Sequence, residues 1–218
     1  YSIVDKKIMI GGKSGSGKSV MIKCLIGLEI PDSGTIEIMS QKLEHLSLKA
    51  LDEIRADIGF LFQGSALYDS MTVRENLEFP LRRHISKFGN VKDTLPLVEE
   101  ALQNVGLKNV IDLMPNELSG GMKRRVALAR TLILKPKIII YDEPTTGLDP
   151  ITSKEIILLM KSVQEKYKTS SIIITHDVDC ARVIANRMIL LIDGKNYAEG
   201  TFAELSTSQD PKVKAFFK

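Results

Sequence analysis

The first residues that could bind a ligand lie near the start of the chain, where residues 12–19 read GKSGSGKS. This segment matches the pattern G-x-x-x-x-G-K-[ST], whose glycines let successive backbone N–H groups turn inward around phosphate oxygens. In this pattern the lysine, here Lys18, neutralises the β- and γ-phosphates, and the hydroxyl after it, here Ser19, binds Mg²⁺. An apolar run precedes the loop and an amphipathic stretch follows it, as the pattern requires. We therefore predict a nucleoside-triphosphate site formed by Gly12, Ser14, Gly15, Ser16, Gly17, Lys18 and Ser19.

A second chemical signal is a pair of carboxylates at the end of an apolar run, residues 138–143 (IIIYDE). A strand buried on both faces has this composition, and in an open parallel sheet its C-terminal end lies beside the phosphate-binding loop. Because neighbouring strand residues point in different directions, the two acids can act differently. We expect Asp142 to bind Mg²⁺ and Glu143 to be the general base or to position water. Without the phosphate-binding loop, a solvated turn would be the better interpretation.

Residues 118–122 (LSGGM) form a second glycine-rich segment, at the start of a helical stretch that ends before Pro136. Ser119 is a favourable N-cap, and Gly120 and Gly121 leave first-turn N–H groups accessible. The simplest interpretation is a capped helix, and the alternative is a second anion site that accepts a γ-phosphate. The predicted helix would carry this site away from the phosphate-binding loop of the same chain. The site would then serve a nucleotide bound by a second copy, which predicts a dimer.

Short β-branched apolar runs alternate with longer amphipathic stretches, which is typical of an α/β protein with a mainly parallel sheet. The predicted strands are 8–10, 35–39, 58–62, 138–141, 171–175 and 188–192, and the predicted helices include 18–28, 73–81, 95–105, 154–167 and 178–185. The strand rhythm stops after Gln63, so we predict an inserted α-helical subdomain at about 64–117 within a catalytic core of 1–63 and 118–218. Because the phosphate-binding loop begins so early, we expect N-terminal strands to be missing from this sequence.

Composition argues against several classes of protein. The 218 residues are 44% hydrophobic and 26% charged, with a net charge of +3, which is ordinary for a globular domain and does not favour nucleic-acid binding. The two cysteines lack the spacing of a zinc site or a disulfide framework. Purely apolar runs are only a few residues long, whereas a membrane-spanning helix needs about 20. We expect that the chain does not enter a membrane by itself.

Together the motifs resemble those of the ATP-binding-cassette ATPases. They occur in that family's order and span almost the whole chain: Lys18 and Ser19, Gln63, residues 118–122, YDEP at 141–144, GLD at 147–149 and His176. The resemblance implies a P-loop NTPase (RecA-like) core, ATP hydrolysis with Mg²⁺, and a head-to-tail dimer that holds two ATP molecules between phosphate-binding loop and signature segment. It also implies that Gln63 links Mg²⁺ and water to the helical subdomain. Asp149 would cross the dimer interface, and His176 would contact the γ-phosphate.

Finer details resemble the Mla/Mce-type lipid-transport ATPases of bacteria. They are Met122 in the signature segment and residues 61–73, 79–81, 149–152 and 210–213. This resemblance implies a peripheral protein at the cytoplasmic face of the inner (plasma) membrane, beneath an integral-membrane permease and with an Mce-domain partner that holds lipid. The permease would dock in a groove around Leu67, Tyr68, Met71, Val73 and Phe79. The alternative is that these side chains form the core of the helical subdomain.

Three other functions remain open on the sequence alone. The same ATPase could drive lipoprotein release or cell-division signalling through another membrane partner. A relative that acts on nucleic acid or ribosomes would be favoured by two cassettes in one chain, a long coiled coil or a basic tail, and this sequence has none of these. A small-molecule kinase would use the same phosphate-binding loop but would leave the signature segment and His176 unexplained.

Overall fold

The computed structural model describes residues 7–13, 15–84 and 93–217. Ser14, one of the predicted phosphate-binding residues, lies outside them. The strands are β1 Lys7–Gly11, β2 Glu37–Ile38, β3 Gln41–Lys42, β4 Ile58–Leu61, β5 Ile138–Asp142, β6 Ser170–Ile174, β7 Arg187–Ile192 and β8 Lys195–Gly200. The α-helices are α1 Lys18–Leu25, α2 Leu48–Ala56, α3 Val73–Arg83, α4 Leu95–Asn104, α5 Gly120–Leu132, α6 Pro150–Tyr167, α7 Val178–Ile184, α8 Phe202–Ser206 and α9 Pro211–Lys214.

The main sheet of the described residues has six strands in the order β4-β5-β6-β1-β7-β8. All neighbours are parallel except β7 and β8, which are antiparallel. The α/β fold with a mainly parallel sheet is therefore as predicted. In such a sheet the C-terminal ends of parallel strands meet at one edge. This edge gathers the phosphate-binding loop after β1, Gln63 after β4, Asp142 at the end of β5 and His176 after β6.

The central strands are buried on both faces, because alternate residues enter different clusters. Ile139 and Ile173 pack with residues of α5, α6 and α7. Ile140 and Ile172 point the other way and pack with Ile22 of α1. This two-sided burial explains the nearly continuous apolar sequence of β5 and β6. It also holds the carboxylates after β5 in a fixed position relative to the sheet.

The regular structure described between β4 and β5 is helical, with α3, α4 and α5 joined by turns and irregular segments. Helices α3 and α4 pack on α5 through Leu77, Val98 and Val126, all of which are 0% exposed. A capping box formed by Thr72 and Glu75 begins α3. This arrangement agrees with an inserted helical segment, while the subdomain boundaries at 64 and 117 stay a prediction.

Several elements differ from those predicted, for local reasons. The predicted strand 35–39 is only β2, because Met39 and Ser40 adopt positive φ (49° and 63°) and turn the chain into β3. Helix α2 and strand β8 were not predicted. Strand β8 lies at the edge of the sheet beside β7, and its first three residues, Lys195, Asn196 and Tyr197, are exposed, so it lacks an apolar run. No helix in the described part of the chain is long and apolar enough to span a membrane.

Candidate active site

The phosphate-binding loop connects the end of β1 to the start of α1. Gly12 has a φ of 154°, and a Cβ atom added there would lie 2.4 Å from the carbonyl oxygen of Leu191 on β7. Both the dihedral angle and the available space therefore require glycine at this position. A Cβ atom on Gly15 or Gly17 would meet nothing within 4 Å. The loop thus packs against the sheet on one side and leaves open space on the other.

The polar groups of this loop fit a phosphate ligand. Ser16 is buried, and its Oγ has no hydrogen-bond partner among the described residues. Lys18 Nζ donates to the carbonyl oxygens of Gly12 at 2.7 Å and Lys13 at 2.9 Å, so the ammonium group lies against the loop. An unpaired buried hydroxyl is unfavourable, and a phosphate oxygen would pair with it. The N-terminus of α1 adds a partial positive charge at the same place.

Asp142 and Glu143 lie at the end of β5, next to this loop. Burial raises the pKa of the Asp142 carboxyl, the charge of Glu143 raises it further, and the charge of Lys18 opposes both. A bound cation would offset the repulsion between the two carboxylates and the cost of burying the charge of Asp142. Asp142 and the Ser19 hydroxyl therefore fit Mg²⁺, which proteins usually hold through one or two carboxylates plus substrate phosphates and water.

The carboxylate of Glu143 is held by three side chains. Its Oε2 accepts hydrogen bonds from Thr146 Oγ1 at 3.2 Å and from Thr175 Oγ1 at 3.4 Å. His176 Nδ1 lies 3.1 Å from Oε1 and 3.0 Å from Oε2. The Glu143 side chain is 15% exposed, whereas that of His176 is 70% exposed. A shielded, oriented carboxylate of this kind can accept a proton from a water molecule.

The ends of β5 and β6 are tied together beyond the sheet. Glu143 N–H donates to the Ile174 carbonyl at 2.8 Å. The buried hydroxyl of Thr145 donates to Asp177 Oδ2 at 3.0 Å, and Asp177 Oδ1 caps α7 by accepting from two backbone N–H groups. These bonds fix the position of Glu143 relative to His176.

The LSGGM segment lies beside Asp149 in the same chain. Ser119 caps α5 by accepting from Met122 N–H at 3.2 Å, and Ser119 and Gly120 are exposed. A Cβ atom on Gly121 would lie 2.7 Å from Thr152 Cγ2. Asp149 caps α6, and the hydrogen bonds that it accepts from Thr152 and Ile151 lower the pKa of its carboxyl. Among the described residues, no hydrogen bond joins residues 118–122 to the phosphate-binding loop.

Most residues of this polar edge were predicted from the sequence, but three were not. Thr146 and Thr175 bond Glu143, and Arg124 of α5 donates to the carbonyl of Phe62, next to Gln63. The hydroxyls could have been suspected from their closeness in sequence to Glu143 and His176. No local sequence signal points to Arg124, because its partner lies in a distant segment.

The family model described as "ABC transporter" matches residues 4–146. This chain belongs to the ABC transporter family. It is an ATP-hydrolysing subunit of that family, as the motifs predicted. Members bind ATP, typically with Mg²⁺, and work with membrane permeases.

Three curated relatives of this ABC ATPase have similar identity. The intermembrane phospholipid transport system ATP-binding protein MlaF of Haemophilus influenzae is 40% identical, over 96% of this chain and 78% of that protein. The methionine import ATP-binding protein MetN of Campylobacter jejuni is 36% identical, over 95% and 66%. The probable ribonucleotide transport ATP-binding protein mkl of Mycobacterium leprae is 40% identical, over 94% and 58%. This chain therefore spans less than two thirds of the last two relatives.

A solved structure supports the fold. The dimeric ATP-binding cassette MJ0796, in a post-hydrolysis state bound to ADP and Pi, superposes with a TM-score of 0.82 at 35% identity. The match covers 93% of this chain and 88% of MJ0796. ABC ATPases of this kind therefore form dimers.

Proposed function

We propose that this ABC ATPase drives phospholipid transport between bacterial membranes, as a head-to-tail pair at the cytoplasmic face of the inner membrane. Its partners would be an integral-membrane permease and an Mce-domain lipid-binding protein. The observation that carries this proposal is the similarity to MlaF along nearly the whole chain, together with the LSGGM form of the signature segment. MetN and mkl are about as similar, so methionine import and ribonucleotide transport are the competing functions that the experiment must separate.

The residues that would bind ATP are those of the phosphate-binding loop. Lys18 would leave the carbonyls of Gly12 and Lys13 to bind phosphate oxygens, and Ser16 Oγ would gain the partner that it lacks. Ser19, Asp142 and Gln63 would hold Mg²⁺, which neutralises charge on the phosphates when bound.

Hydrolysis would use Glu143 as the base. Glu143 accepts a proton while the water oxygen forms a bond to the γ-phosphorus and the bond to the leaving oxygen of ADP breaks, which gives ADP and phosphate. Thr146 and Thr175 hold the carboxylate in place. The exposed ring of His176 would contact the γ-phosphate while its Nδ1 keeps the bond to Glu143.

The signature segment would serve the ATP of the second copy. Ser119 and Gly120 are exposed at the start of α5, where backbone N–H groups can bind an anion. Asp149 is exposed beside them and would cross the interface. The MJ0796 dimer supports pairing of this kind, since that cassette was found as a dimer with ADP and Pi.

The permease would dock on a surface that we call the docking patch, which we define as Phe62, Tyr68, Phe79 and Pro80. These residues line a groove of about 400 Å³. Phe62 and Tyr68 are 45% and 42% exposed, and the rings of Tyr68 and Phe79 lie 4.8 Å apart. Leu67 and Met71, also expected at this groove, are not among the residues that line it. The expectation for Val73 was wrong, because this first residue of α3 is fully buried in the core.

Purification from native membranes tests the proposal. The tagged chain is isolated with its partners, and co-purifying proteins, phospholipid, free amino acids and ribonucleotides are identified by mass spectrometry. We expect a polytopic permease, an Mce-domain protein and bound phospholipid. Recovery of a different permease with bound methionine or a bound ribonucleotide, or of no permease, would refute lipid transport.

Matched variants test the docking patch in the same experiment. Tyr68→Ala should reduce recovery of the permease, since aromatic anchors dominate many interfaces. Tyr197→Ala on β8 is the control, because Tyr197 is also 42% exposed but lies outside the patch. Equal loss of the permease in both variants would contradict the assigned docking surface.

A further inference from the structure

Arg124, on helix α5, is a buried cation that the proposed mechanism does not use. It is 4% exposed and lies just after the signature segment, of which Ser119 and Gly120 are exposed. Burial lowers the pKa of its guanidinium, and no carboxylate among the described residues offsets this effect. A buried charge without a carboxylate partner is unfavourable unless other polar groups bond it.

The partners of Arg124 are backbone carbonyls from two loops of the site. Nη1 donates to the Phe62 carbonyl at 2.7 Å and Nη2 donates to the Thr146 carbonyl at 3.4 Å. Phe62 immediately precedes Gln63, and Thr146 immediately precedes the GLD segment that ends in Asp149. One side chain thereby links helix α5 to the loops after β4 and β5.

The second of these loops also orients the proposed base. Thr146 accepts from Arg124 through its backbone carbonyl and donates through its hydroxyl to Glu143 Oε2 at 3.2 Å. A displacement of the Thr146 backbone would therefore move the hydroxyl that holds Glu143. Misplacement of a catalytic group by about 1 Å can cost on the order of 100-fold in rate.

We propose that Arg124 is a positioning residue for ATP hydrolysis, which holds Gln63 and Glu143 in register and ties both to the helix that carries the signature segment. The proposal rests on the roles given to Gln63 and Glu143 above. Removal of this side chain takes a donor from two carbonyls, so a purely structural role predicts a fall in Tm without a selective loss of kcat. The planar fork of arginine presents separate N–H groups to the two carbonyls in fixed directions, whereas a lysine donates from a single ammonium nitrogen.

Steady-state ATP hydrolysis and thermal unfolding of the purified protein test this inference. Arg124→Met should lower kcat by roughly 10- to 100-fold, as expected for a misplaced catalytic group. The KM for ATP should stay within about threefold, because the phosphate-binding loop is untouched. The Tm should fall by only about 2–4 °C, because the buried charge is removed together with its hydrogen bonds and the Phe62 carbonyl still accepts from Ser65 N–H. Arg124→Lys should recover only part of the lost kcat.

Arg125→Met is the matched control, from the neighbouring position of the same helix. Arg125 donates to the Val105 carbonyl at 2.9 Å and to Glu155 Oε2 at 2.8 Å, away from the site. Its kcat should stay within about twofold of the parent, as for a change that leaves the catalytic groups in place. If Arg124→Met keeps the parent kcat, the positioning role is overturned. It is also overturned if Arg124→Met and Arg125→Met lose the same amount of kcat and the same amount of Tm. If Arg124→Met does not fold, Arg124→Lys decides by the same two criteria.

Glu143→Gln, measured in parallel, separates this inference from the proposed function. If Glu143→Gln abolishes turnover and Arg124→Met does not reduce it, only the role of Arg124 fails. If Glu143→Gln retains parent turnover, the assigned base is wrong and the positioning argument falls with it.

Discussion

His176 Nδ1 lies 3.0 Å from Glu143 Oε2, although the histidine is largely exposed and the glutamate is largely shielded. The two residues follow β6 and β5, which are neighbours in the sheet. A ligand that reaches the exposed ring is therefore linked through a single contact to the shielded carboxylate. This contact is the geometric basis for our proposal that the two residues act together in hydrolysis.

Glu143→Gln should lower kcat by about 10²–10⁴-fold, the range typical of a lost general base. ATP affinity should stay within a few-fold of the parent, because the amide keeps the shape of the side chain and the phosphate-binding loop is unchanged. Steady-state hydrolysis measures kcat, and nucleotide titration measures the affinity for ATP. Glu155→Gln on α6 is the control, and parent-like hydrolysis by Glu143→Gln would contradict the assigned base.

Thr145→Val should destabilise the protein by about 1 kcal/mol, because it removes the hydroxyl that donates to Asp177 at 3.0 Å. The Tm should fall by roughly 2–4 °C for a domain of this size. Thermal unfolding checks this value against Ser162→Ala, which removes an exposed hydroxyl. Equal Tm values for the two variants would show that the Thr145–Asp177 bond contributes nothing.

Gly121→Ala should destabilise the start of α5, because the added Cβ would lie 2.7 Å from Thr152 Cγ2. Overpacking of this kind typically costs about 1–3 kcal/mol. Thr152→Ser removes that methyl group, so the double variant should recover most of the lost Tm. Gly120→Ala is the control, since its Cβ would be 3.6 Å from Leu148. Failure of Thr152→Ser to rescue would mean that the clash is not the cause.

Asp142→Asn should raise the Tm of the nucleotide-free protein at pH 7, on the order of 2 °C. A carboxyl whose pKa is higher in the folded protein than in the unfolded chain disfavours folding once it is deprotonated. Stability is therefore lost as pH rises from the ordinary pKa of 3.8 through the raised pKa of Asp142, and the loss is complete above the raised pKa. The asparagine removes this loss, so the Tm difference should shrink toward pH 4.

The control for this prediction is Asp69→Asn, at an exposed aspartate. Added Mg²⁺ and ATP should stabilise the parent more than Asp142→Asn, because the variant loses a proposed Mg²⁺ ligand. A Tm difference that is constant between pH 4 and pH 7 would exclude titration of Asp142 as its cause.

The sequence predicted the parts of the site that depend on local pattern. The glycines of the phosphate-binding loop and the acids after β5 are recognisable because the physical requirement and the residues lie in the same short segment. The roles assigned to these residues stay predictions. Arg124 could not be found in this way, since it bonds a carbonyl 62 positions away that only the packing of α5 on β4 brings near.

Element boundaries were harder to predict than the elements themselves. Strand β2 is short because two residues after it turn with positive φ, which nothing in the sequence of Met39 or Ser40 demands. Strand β8 was not predicted because an exposed edge strand does not need alternating apolar residues. The order of the strands in the sheet could not be predicted either, because pairing between strands far apart in sequence produces no local residue pattern.

Strand β1 pairs on one side with β6, where Lys7 lies opposite Ser171, and on the other with β7, where Ile8 lies opposite Arg187. During synthesis the phosphate-binding loop therefore leaves the ribosome long before either strand that supports it. Pairing between segments so far apart in sequence forms slowly, and an unpaired strand exposes N–H and C=O groups to other chains. A nascent chain thus carries the nucleotide motif without a nucleotide site. Affinity for ATP should arise only once Arg187 and the rest of β7 have been made.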